Sequence, residues 1–377
     1  MTTRVVVLGA GFGGLELSTY LSEQLLGEVD ITLIDKSDAF VFGFAKLDVL
    51  FGRATPEQVR AYYRDISLPG VSFRQETVTR IDPAEKHVVT DAGEYDADVL
   101  VVALGADTDP SLTPGFVEGG HEFYSVAGAE NLRSVLEGFA GGRIVISVLG
   151  TPYKCPPAPC EAAFMLNDHF RNRGIDVSIQ VVSPLPNPVP ISKATADAIL
   201  DAFAERGIEF LADTLVTSID PATMTAVLAD GEKLPYDLFL GIPKHRVPAV
   251  VESSGLAVDG WIPVDPGTLM TRYPDVYAIG DCNSAPVPRA GVFAEGAGRA
   301  AARDIVARLR QTGSATPYDG AGSCYIEFPE GLVARVDADF LSGPTPTGPF
   351  TPPSLELVAE KKNFGTSRRK RWFGYDE

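Results

Sequence analysis

The amino-acid sequence predicts an α/β protein with two Rossmann-like, doubly wound dinucleotide-binding domains, one inserted in the other, plus a small C-terminal module. Three observations support this prediction. A glycine-rich turn joins a strand to a helix near residue 10, a similar unit starts at residue 143, and a strand ending in Gly280-Asp281 returns late in the chain. The predicted parts are a first dinucleotide-binding domain of residues 1–108 and 262–317, an inserted domain of 109–261, and a module of 318–377.

The first strand–turn–helix unit predicts a dinucleotide site. Strand RVVVLG (4–9), a helix through Leu15–Leu26 and strand DITLID (30–35) enclose a G-x-G-x-x-G turn. The second strand ends in a carboxylate, 21 positions after the last glycine of the turn, where an acid typically takes ribose hydroxyls. The alternative is a merely tight strand–helix turn. The expected cofactor contacts here are Gly9, Gly11, Phe12, Gly13, Gly14, Asp35 and Lys36.

Two later strands are expected to complete this site. Strand 95–107 ends at Ala103-Leu104-Gly105, and strand 273–282 ends before a glycine-studded helix. An acid at the end of the latter strand can hold a ribityl or ribose hydroxyl, although it could instead cap the helix. The remaining expected contacts are Val78, Ala103, Leu104, Gly105, Gly280, Asp281, Phe293 and Ala294.

The second unit has lost its nucleotide-binding features. Strand RIVISVLG (143–150) is followed by a helix over Cys160–Arg173 and strand 177–183, but only Gly150 of a glycine loop remains. Cys155 and Cys160 stand where backbone amides would meet a pyrophosphate, and Ser183 replaces the acid. This pattern predicts that NAD(P)H does not bind here and that electrons enter through sulfur.

Composition excludes several classes of protein. The net charge of −18 argues against nucleic acid as a partner, and no apolar run approaches the length of a membrane span. The first strand begins too early to leave room for a signal peptide, so a cytoplasmic location is expected. Four cysteines argue against a disulfide scaffold, and the histidines have no partners at metal spacing, so no metal site is predicted.

The C-terminal segment is basic, in contrast to the acidic chain as a whole. Residues 361–374 carry six cations and no acid, interleaved with aromatic residues. One hypothesis is peripheral contact with the inner face of the membrane, and the other is a segment docked on the acidic body of its own chain.

These motifs together resemble a known family. The glycine turn with its acid, Ala103–Gly105, KCPPAPCEA (154–162), GWIPVD (260–265), YAIGDC (277–282), AGVFAEG (290–296), GSCYIE (322–327) and RWFG (371–374) cover nearly the whole chain. The combination resembles sulfide:quinone oxidoreductases and the flavoprotein subunit of flavocytochrome c sulfide dehydrogenase. The resemblance implies FAD as cofactor, sulfide or polysulfide as substrate, and a quinone or protein as electron acceptor.

The resemblance also implies roles for individual residues. Cys155 and Cys324 would form a redox-active pair beside the flavin, and Glu161 would act as an acid/base. Cys160 departs from the family pattern, so it is either a third active-site thiol or a core residue. The chain also lacks the long C-terminal amphipathic extension of membrane-bound relatives, which weakens the inference of a quinone acceptor.

The surroundings of Cys155 favour a reactive thiol. It lies just ahead of a helix opened by Pro157 and Pro159, with Lys154 adjacent, and both a helix N-terminus and a cation favour thiolate. The alternative is a small buried hydrophobe. His245 lies either near the flavin edge or at the surface.

Two other functions remain open from the sequence. One is a pyridine-nucleotide-dependent FAD dehydrogenase of the same fold. The other is a non-catalytic flavin redox sensor or interaction module that uses the basic tail to reach a partner.

Overall fold

The structure is a computed structural model that describes residues 2–375. Its first sheet has five parallel strands in the spatial order Val276–Ala278, Val99–Val102, Thr3–Leu8, Val29–Asp35, Val71–Gln75. The order differs from the chain order because the first strand, Thr3–Leu8, lies in the middle and pairs with Val29–Asp35 on one side and Val99–Val102 on the other. Strand Val276–Ala278, which follows the second domain in the chain, pairs with Val99–Val102. Both faces of such a sheet are buried, which explains the continuous apolar runs of its strands. The predicted α/β, doubly wound class is confirmed.

Two helices cover one face of this sheet and pack closely against each other. They span Phe12–Gln24 and Gly291–Arg310. A Cβ atom on Gly298 would lie 2.4 Å from the backbone oxygen of Gly13, so only a hydrogen atom fits at that position. The glycine-studded sequence of the second helix therefore reflects close packing as well as proximity to the nucleotide turn.

The second sheet has four parallel strands. Their order is Ile208–Leu211, Val177–Val182, Gly142–Val148, Leu238–Ile242. Helix Ala158–Asn172 follows the central strand and packs on this sheet. Each domain also has a small antiparallel sheet of three strands. In the first domain these strands are Val78–Asp82, His87–Thr90 and Glu94–Asp96. In the second domain they are Val216–Asp220, Thr225–Leu228 and Lys233–Pro235.

Shorter elements connect these layers. Two-stranded pairs join Ala39–Val41 with Arg60–Tyr62 and Asp107–Asp109 with Lys244–Arg246. Between residues 2 and 350, the other α-helices are Ala45–Leu50, Phe116–Gly119, Val126–Gly138, Lys193–Ala204 and Ala249–Ser253. Within residues 2–375, no helix combines the length and hydropathy needed to cross a membrane.

The C-terminal part is an antiparallel sheet followed by a long helix. Strands Ala321–Glu327, Val333–Asp339 and Phe350–Ser354 precede the C-terminal helix, Leu355–Phe373. Ser354 caps this helix by accepting a hydrogen bond from the backbone N–H of Leu357. The basic segment expected only as a tail is therefore the second half of a regular helix.

The C-terminal helix is locked onto the first nucleotide-binding domain through one buried carboxylate. Glu16 has a fully buried side chain and accepts hydrogen bonds from the Trp372 indole at 2.9 Å, from Arg371 at 2.8 Å and from Arg299 at 2.9 Å. Trp372 is itself fully buried, and Arg368 pairs with Glu295. Of the two hypotheses for 361–374, these contacts match docking on the chain's own acidic body, and they bury Trp372 completely, whereas the Arg371 side chain stays partly exposed.

Candidate active site

The candidate active site is a cavity of about 580 Å³ at the carboxyl ends of the first sheet's strands. It is bounded by the first domain, by the inserted domain through Cys155 and by the C-terminal part through Cys324. Among the residues expected at the site, those lining the cavity are Gly9, Gly11, Phe12, Gly13, Asp35, Lys36, Val78, Ala103, Leu104, Gly105, Cys155, Glu161, Gly280, Asp281, Ala294 and Cys324.

Three expected site residues do not line this cavity. A Cβ on Gly14 would lie 1.9 Å from the backbone oxygen of Gly9, so Gly14 permits the strand and helix to pack. Phe293 is buried against the ring of Phe340. Cys160 is 2% exposed and belongs to the hydrophobic core, as its core alternative expected.

The glycine turn leaves a helix N-terminus open to the cavity. Gly9 has φ of 103°, and a Cβ there would lie 2.3 Å from the backbone oxygen of Ala103. Gly11 caps helix Phe12–Gln24 with no side-chain hydrogen bond, and a Cβ on it would meet nothing within 4 Å. The first-turn N–H groups therefore remain available to an anion such as a pyrophosphate.

Two carboxylates flank this turn in different ways. Asp35 accepts hydrogen bonds from the backbone N–H groups of Ala10 and Ser37, both at 2.8 Å, and so also closes the turn. Asp281 lines the cavity and has no hydrogen-bond partner within residues 2–375, while burial raises the pKa of its carboxyl. It does not cap the following helix, which starts at Gly291 after Ala290. A free carboxylate in the cavity suits the hydroxyl groups of a ribityl chain.

The loop that carries Cys155 holds it in an unusual backbone conformation. Cys155 has φ of 55°, in the left-handed region that costs a non-glycine residue about 1–2 kcal/mol. The backbone of the preceding residue is held at both of its peptide groups, since the Tyr124 hydroxyl donates to the Lys154 carbonyl at 2.8 Å and the Lys154 N–H donates to His245 Nε2 at 3.4 Å. The Cys155 N–H donates to the Arg289 carbonyl at 2.7 Å. Strained residues so firmly held are typical of functional sites.

Burial, rather than the helix terminus, dominates the acidity of the cavity's thiols. Burial raises the pKa of Cys155, and the charges of Glu161 and Cys324 add to the rise. Burial and Glu161 also raise the pKa of Cys324, to about 12. The expectation of a favoured Cys155 thiolate was therefore wrong for the free thiol. The adjacent Lys154 ammonium donates instead to the Ala106 carbonyl at 2.9 Å.

Glu161 is a buried acid poised near neutral pH. It is 3% exposed, it lines the cavity, and burial raises its pKa to about 7. Its Oε1 accepts a hydrogen bond from the Glu327 N–H at 2.9 Å. Lys361 of the C-terminal helix donates to the Glu327 carboxylate at 2.7 Å and opposes the rise in the pKa of Glu161. Such a group can exchange a proton at physiological pH.

The remaining thiol and histidine candidates, Cys282 and His245, have surroundings that suit a structural role. Cys282 is fully buried, and its Sγ faces the carbonyls of Val102 and Ile279. His245 accepts from the peptide ahead of Cys155 as described, and burial lowers its pKa to about 3, so it is a neutral imidazole beside this loop. All four cysteines are free thiols in this structure.

The equivalent position of the second domain offers little to a pyrophosphate. A Cβ on Gly150 would lie 2.9 Å from the side chain of Lys244, which covers the turn. Helix Ala158–Asn172 begins among prolines, which have no N–H to donate. Ser183, at the end of the next strand, is buried and caps a turn by accepting from Leu185.

Sequence reasoning missed several residues that line the cavity. They include Lys46, Phe44 and Tyr124, whereas Lys361 and Phe364 were expected only as part of the basic tail. Lys361 and Phe364 are three positions apart, which puts them on one face of a helix, and this spacing was the available signal. Lys46 is the one cation in the run FGFAKLDVLF, which is apolar apart from it and Asp48, and this was a second signal.

Comparison with known proteins identifies the family. The sequence profile of the pyridine nucleotide-disulphide oxidoreductase family matches residues 3–301. The chain belongs to this family. Members of the pyridine nucleotide-disulphide oxidoreductase family with this architecture bind FAD. The open glycine turn suits the pyrophosphate of FAD, and the free Asp281 carboxylate suits its ribityl hydroxyls. The protein is an FAD-dependent oxidoreductase.

Several individual proteins of known function or structure are similar to this chain. The chain is 26% identical over 364 residues to the mitochondrial sulfide:quinone oxidoreductase of Mus musculus, covering 92% of this chain and 80% of the mouse protein. It is also 26% identical to the type II NADH:quinone oxidoreductase of Staphylococcus aureus (strain NCTC 8325 / PS 47), covering 80% and 81%. The crystal structure of the Aquifex aeolicus sulfide:quinone oxidoreductase has the same fold, with a TM-score of 0.86, 23% identity and coverage of 98% and 92%.

Proposed function

We propose that this flavoenzyme oxidises sulfide, or a related small sulfur compound, through a redox pair formed by Cys155 and Cys324. The observation that carries the proposal is that these two cysteines, from different parts of the chain, line the same cavity as the open nucleotide turn. The charge of Cys324 also raises the pKa of Cys155, as expected of two thiols in one cavity. Both cysteines are partly accessible, whereas Cys160 and Cys282 are buried.

The proposed first step is an ordinary thiol–disulfide exchange. Hydrosulfide attacks one sulfur of a Cys155–Cys324 disulfide, so that the S–S bond breaks, one cysteine carries a persulfide and the other leaves as a thiolate. Bound FAD supplies the acceptor for the two electrons that the sulfur gives up.

Glu161 is the proposed group for proton transfer in this reaction. Its carboxyl lies close enough to both cysteines to affect their pKa values. With a pKa of about 7 it can accept the proton of an incoming sulfur compound and release it again. Its exposure of 3% keeps that proton away from bulk water.

The proposed electron acceptor is a quinone. Phe44 and Phe364 line the cavity on the side of the C-terminal helix, with their ring centroids 6.4 Å apart, and Tyr325 lies 6.0 Å from Phe364. Flat aromatic walls of this kind suit a flat ring, and the names of relatives such as the mouse enzyme include a quinone. A protein acceptor is the alternative.

Oxidation of NADH is the second candidate function, favoured by the relatives named NADH:quinone oxidoreductase. Against it stand the covered Gly150 and the prolines that open helix Ala158–Asn172. These features remove the amide cradle that a pyrophosphate needs.

Anaerobic titration of the purified yellow protein tests both functions. Sulfide should bleach the flavin at stoichiometric concentration, and NADH should do so far more slowly. Cys155→Ser and Cys324→Ser should each abolish bleaching by sulfide while FAD stays bound, because the two sulfurs act as one unit. Fast, saturable bleaching by NADH together with none by sulfide would refute the proposal in favour of the second candidate.

A further inference from the structure

The backbone of Arg289, just ahead of helix Gly291–Arg310, holds the backbone of Cys155. The Cys155 N–H donates to the Arg289 carbonyl at 2.7 Å, and Lys154 and Arg289 pair as a single parallel β-bridge. Cys155 has φ of 55°, and a non-glycine residue without such a restraint favours other conformations. The Arg289 carbonyl therefore helps to fix the direction of the Cys155 side chain.

The side chain of Arg289 is itself fixed on two sides. Its guanidinium carbon lies 3.8 Å from the centroid of the Trp261 ring, which is a close cation–π stack. Its Nη2 donates to the Asn283 carbonyl at 3.2 Å. Because the stack fixes the plane of the guanidinium and the hydrogen bond fixes its direction, the side chain restrains the carbonyl of its own residue.

Both partners of this guanidinium are anchored in well-packed parts of the structure. Asn283 is 4% exposed, and its side chain donates at 3.0 Å to the carbonyl of Ala278, the last residue of its strand in the first sheet. Trp261 packs, partly buried, against a hydrophobic cluster, and the N–H of the next residue, Ile262, donates to the Cys282 carbonyl at 3.0 Å. The loop that carries Cys155 is therefore connected to the edge of the first sheet through a short series of direct contacts.

We propose that Arg289 and Trp261 are positioning residues for Cys155. The indole fixes the guanidinium, and the Arg289 carbonyl keeps Cys155 in the left-handed conformation that directs its sulfur towards Cys324. The inference rests on the proposed function, since it concerns the closing of the Cys155–Cys324 pair. It does not involve the charge of Arg289, because a backbone carbonyl makes the contact with Cys155. Without the stack, Cys155 relaxes to commoner backbone conformations and the pair closes less readily.

The test measures the closing of the pair without sulfide. FAD-loaded protein is equilibrated anaerobically with mixtures of reduced and oxidised dithiothreitol, and the Cys155–Cys324 disulfide is counted by alkylation and mass spectrometry. The two protein thiols give two electrons and two protons to oxidised dithiothreitol, so the equilibrium constant reports how often the sulfurs meet. Trp261→Ala should lower this constant about fivefold or more, because the left-handed conformation is disfavoured by a factor of about 5–30. Trp261→Phe, which keeps an aromatic face, should restore most of the constant.

A second aromatic–arginine stack provides the matched control. Tyr273 packs, partly buried, against the same hydrophobic cluster as Trp261, and the Arg272 guanidinium lies 5.0 Å from the centroid of its ring. Arg272 donates to the Gly255 carbonyl rather than serving the Cys155 loop. Tyr273→Ala should therefore leave the constant unchanged. If Trp261→Ala does not retain FAD, Trp261→Leu, which fills more of the space but has no π face, is measured under the same criteria.

The outcomes separate this inference from the proposed function. An unchanged constant in Trp261→Ala, or an equal fall in Tyr273→Ala, would overturn the inference, and bleaching of the wild type by sulfide would show that the proposed function still holds. A lower constant in a protein that sulfide does not reduce would refute the proposed function and leave the positioning role standing. A wild type that forms no Cys155–Cys324 disulfide at any ratio of dithiothreitol would overturn both.

Discussion

Neutralising Glu16 should release the C-terminal helix from the rest of the protein. The substitution Glu16→Gln keeps an oxygen that can accept the Trp372 indole N–H, but it leaves Arg299 and Arg371 facing an amide in place of a charge. Removing one partner of a buried ion pair costs about 3–5 kcal/mol. Since one hydrogen bond survives and the arginine side chains are 41% and 31% exposed, we expect at most the lower end, about 3 kcal/mol, in the free energy of opening of helix Leu355–Phe373.

Native-state hydrogen exchange measures this opening. A loss of about 3 kcal/mol corresponds to exchange roughly 100-fold faster in peptides from the C-terminal helix. Glu23→Gln is the matched control, because Glu23 binds the same Arg371 but has a side chain 47% exposed. An exposed pair contributes about 0–1 kcal/mol, so this variant should change exchange by less than about fivefold. Equal exchange in the two variants would show that Glu16 does not hold the helix.

The effect of Glu16→Gln should depend on pH in a defined direction. Burial alone would raise the pKa of Glu16, but the hydrogen bonds from Arg371 and Trp372 hold it below the ordinary value of 4.5. A carboxyl with a lowered pKa stabilises the folded state fully above its unfolded pKa, and this stabilisation is lost as the pH falls through the folded pKa. The difference between the variant and the wild type should therefore be complete at neutral pH and shrink below about pH 4.5.

Three further predictions concern the cavity. Gly11→Val should give colourless protein, because the side chain would occupy the open space at the helix N-terminus, whereas Gly138→Val, with equal free space away from the cavity, should keep its flavin absorbance. In the wild type, the free energy of unfolding should decline between about pH 4.5 and about pH 7, since the folded Glu161 carboxyl keeps its proton up to a pKa of about 7 while the unfolded one loses it near 4.5. Glu161→Gln should remove this decline. Urea midpoints measured across the window check it, and an unchanged dependence of the midpoint on pH would contradict it. Cys160→Ser should retain most of the flavin reduction by sulfide, because this thiol lies in the core, and a loss as large as in Cys155→Ser would place it in the reaction instead.

The parts of the site predicted from sequence are those encoded locally. The turn from Gly9 to Gly13 and the acid at Asp35 lie within one strand–helix–strand unit, where the spacing of residues fixes their relation in space. Asp281 was predictable for the same reason, since the carboxyl end of any strand of a parallel sheet lies at the ligand edge. The fold class followed from the recurrence of these units.

The parts that sequence could not supply depend on tertiary packing. The basic segment looked like a tail because its cations have no acidic neighbours along the chain, and their partner Glu16 is 355 residues away from Arg371. The pKa of Cys155 was misjudged because a helix terminus and Lys154 are visible in sequence, whereas enclosure by Glu161 and Cys324 is not. Lys46 was missed because only tertiary packing brings helix Ala45–Leu50 to the cavity.

The two helices that pack together on the first sheet come from distant parts of the chain, and this separation affects folding during synthesis on the ribosome. Helix Phe12–Gln24 emerges early, but its packing partner Gly291–Arg310 is synthesised more than 260 residues later. At about 5–20 residues per second, the delay is roughly 13–50 s. During that time the glycine face of the early helix and the Glu16 carboxylate have no partners. The nascent chain should therefore depend on chaperones, or on an early-bound adenine nucleotide, until its last helix closes the structure.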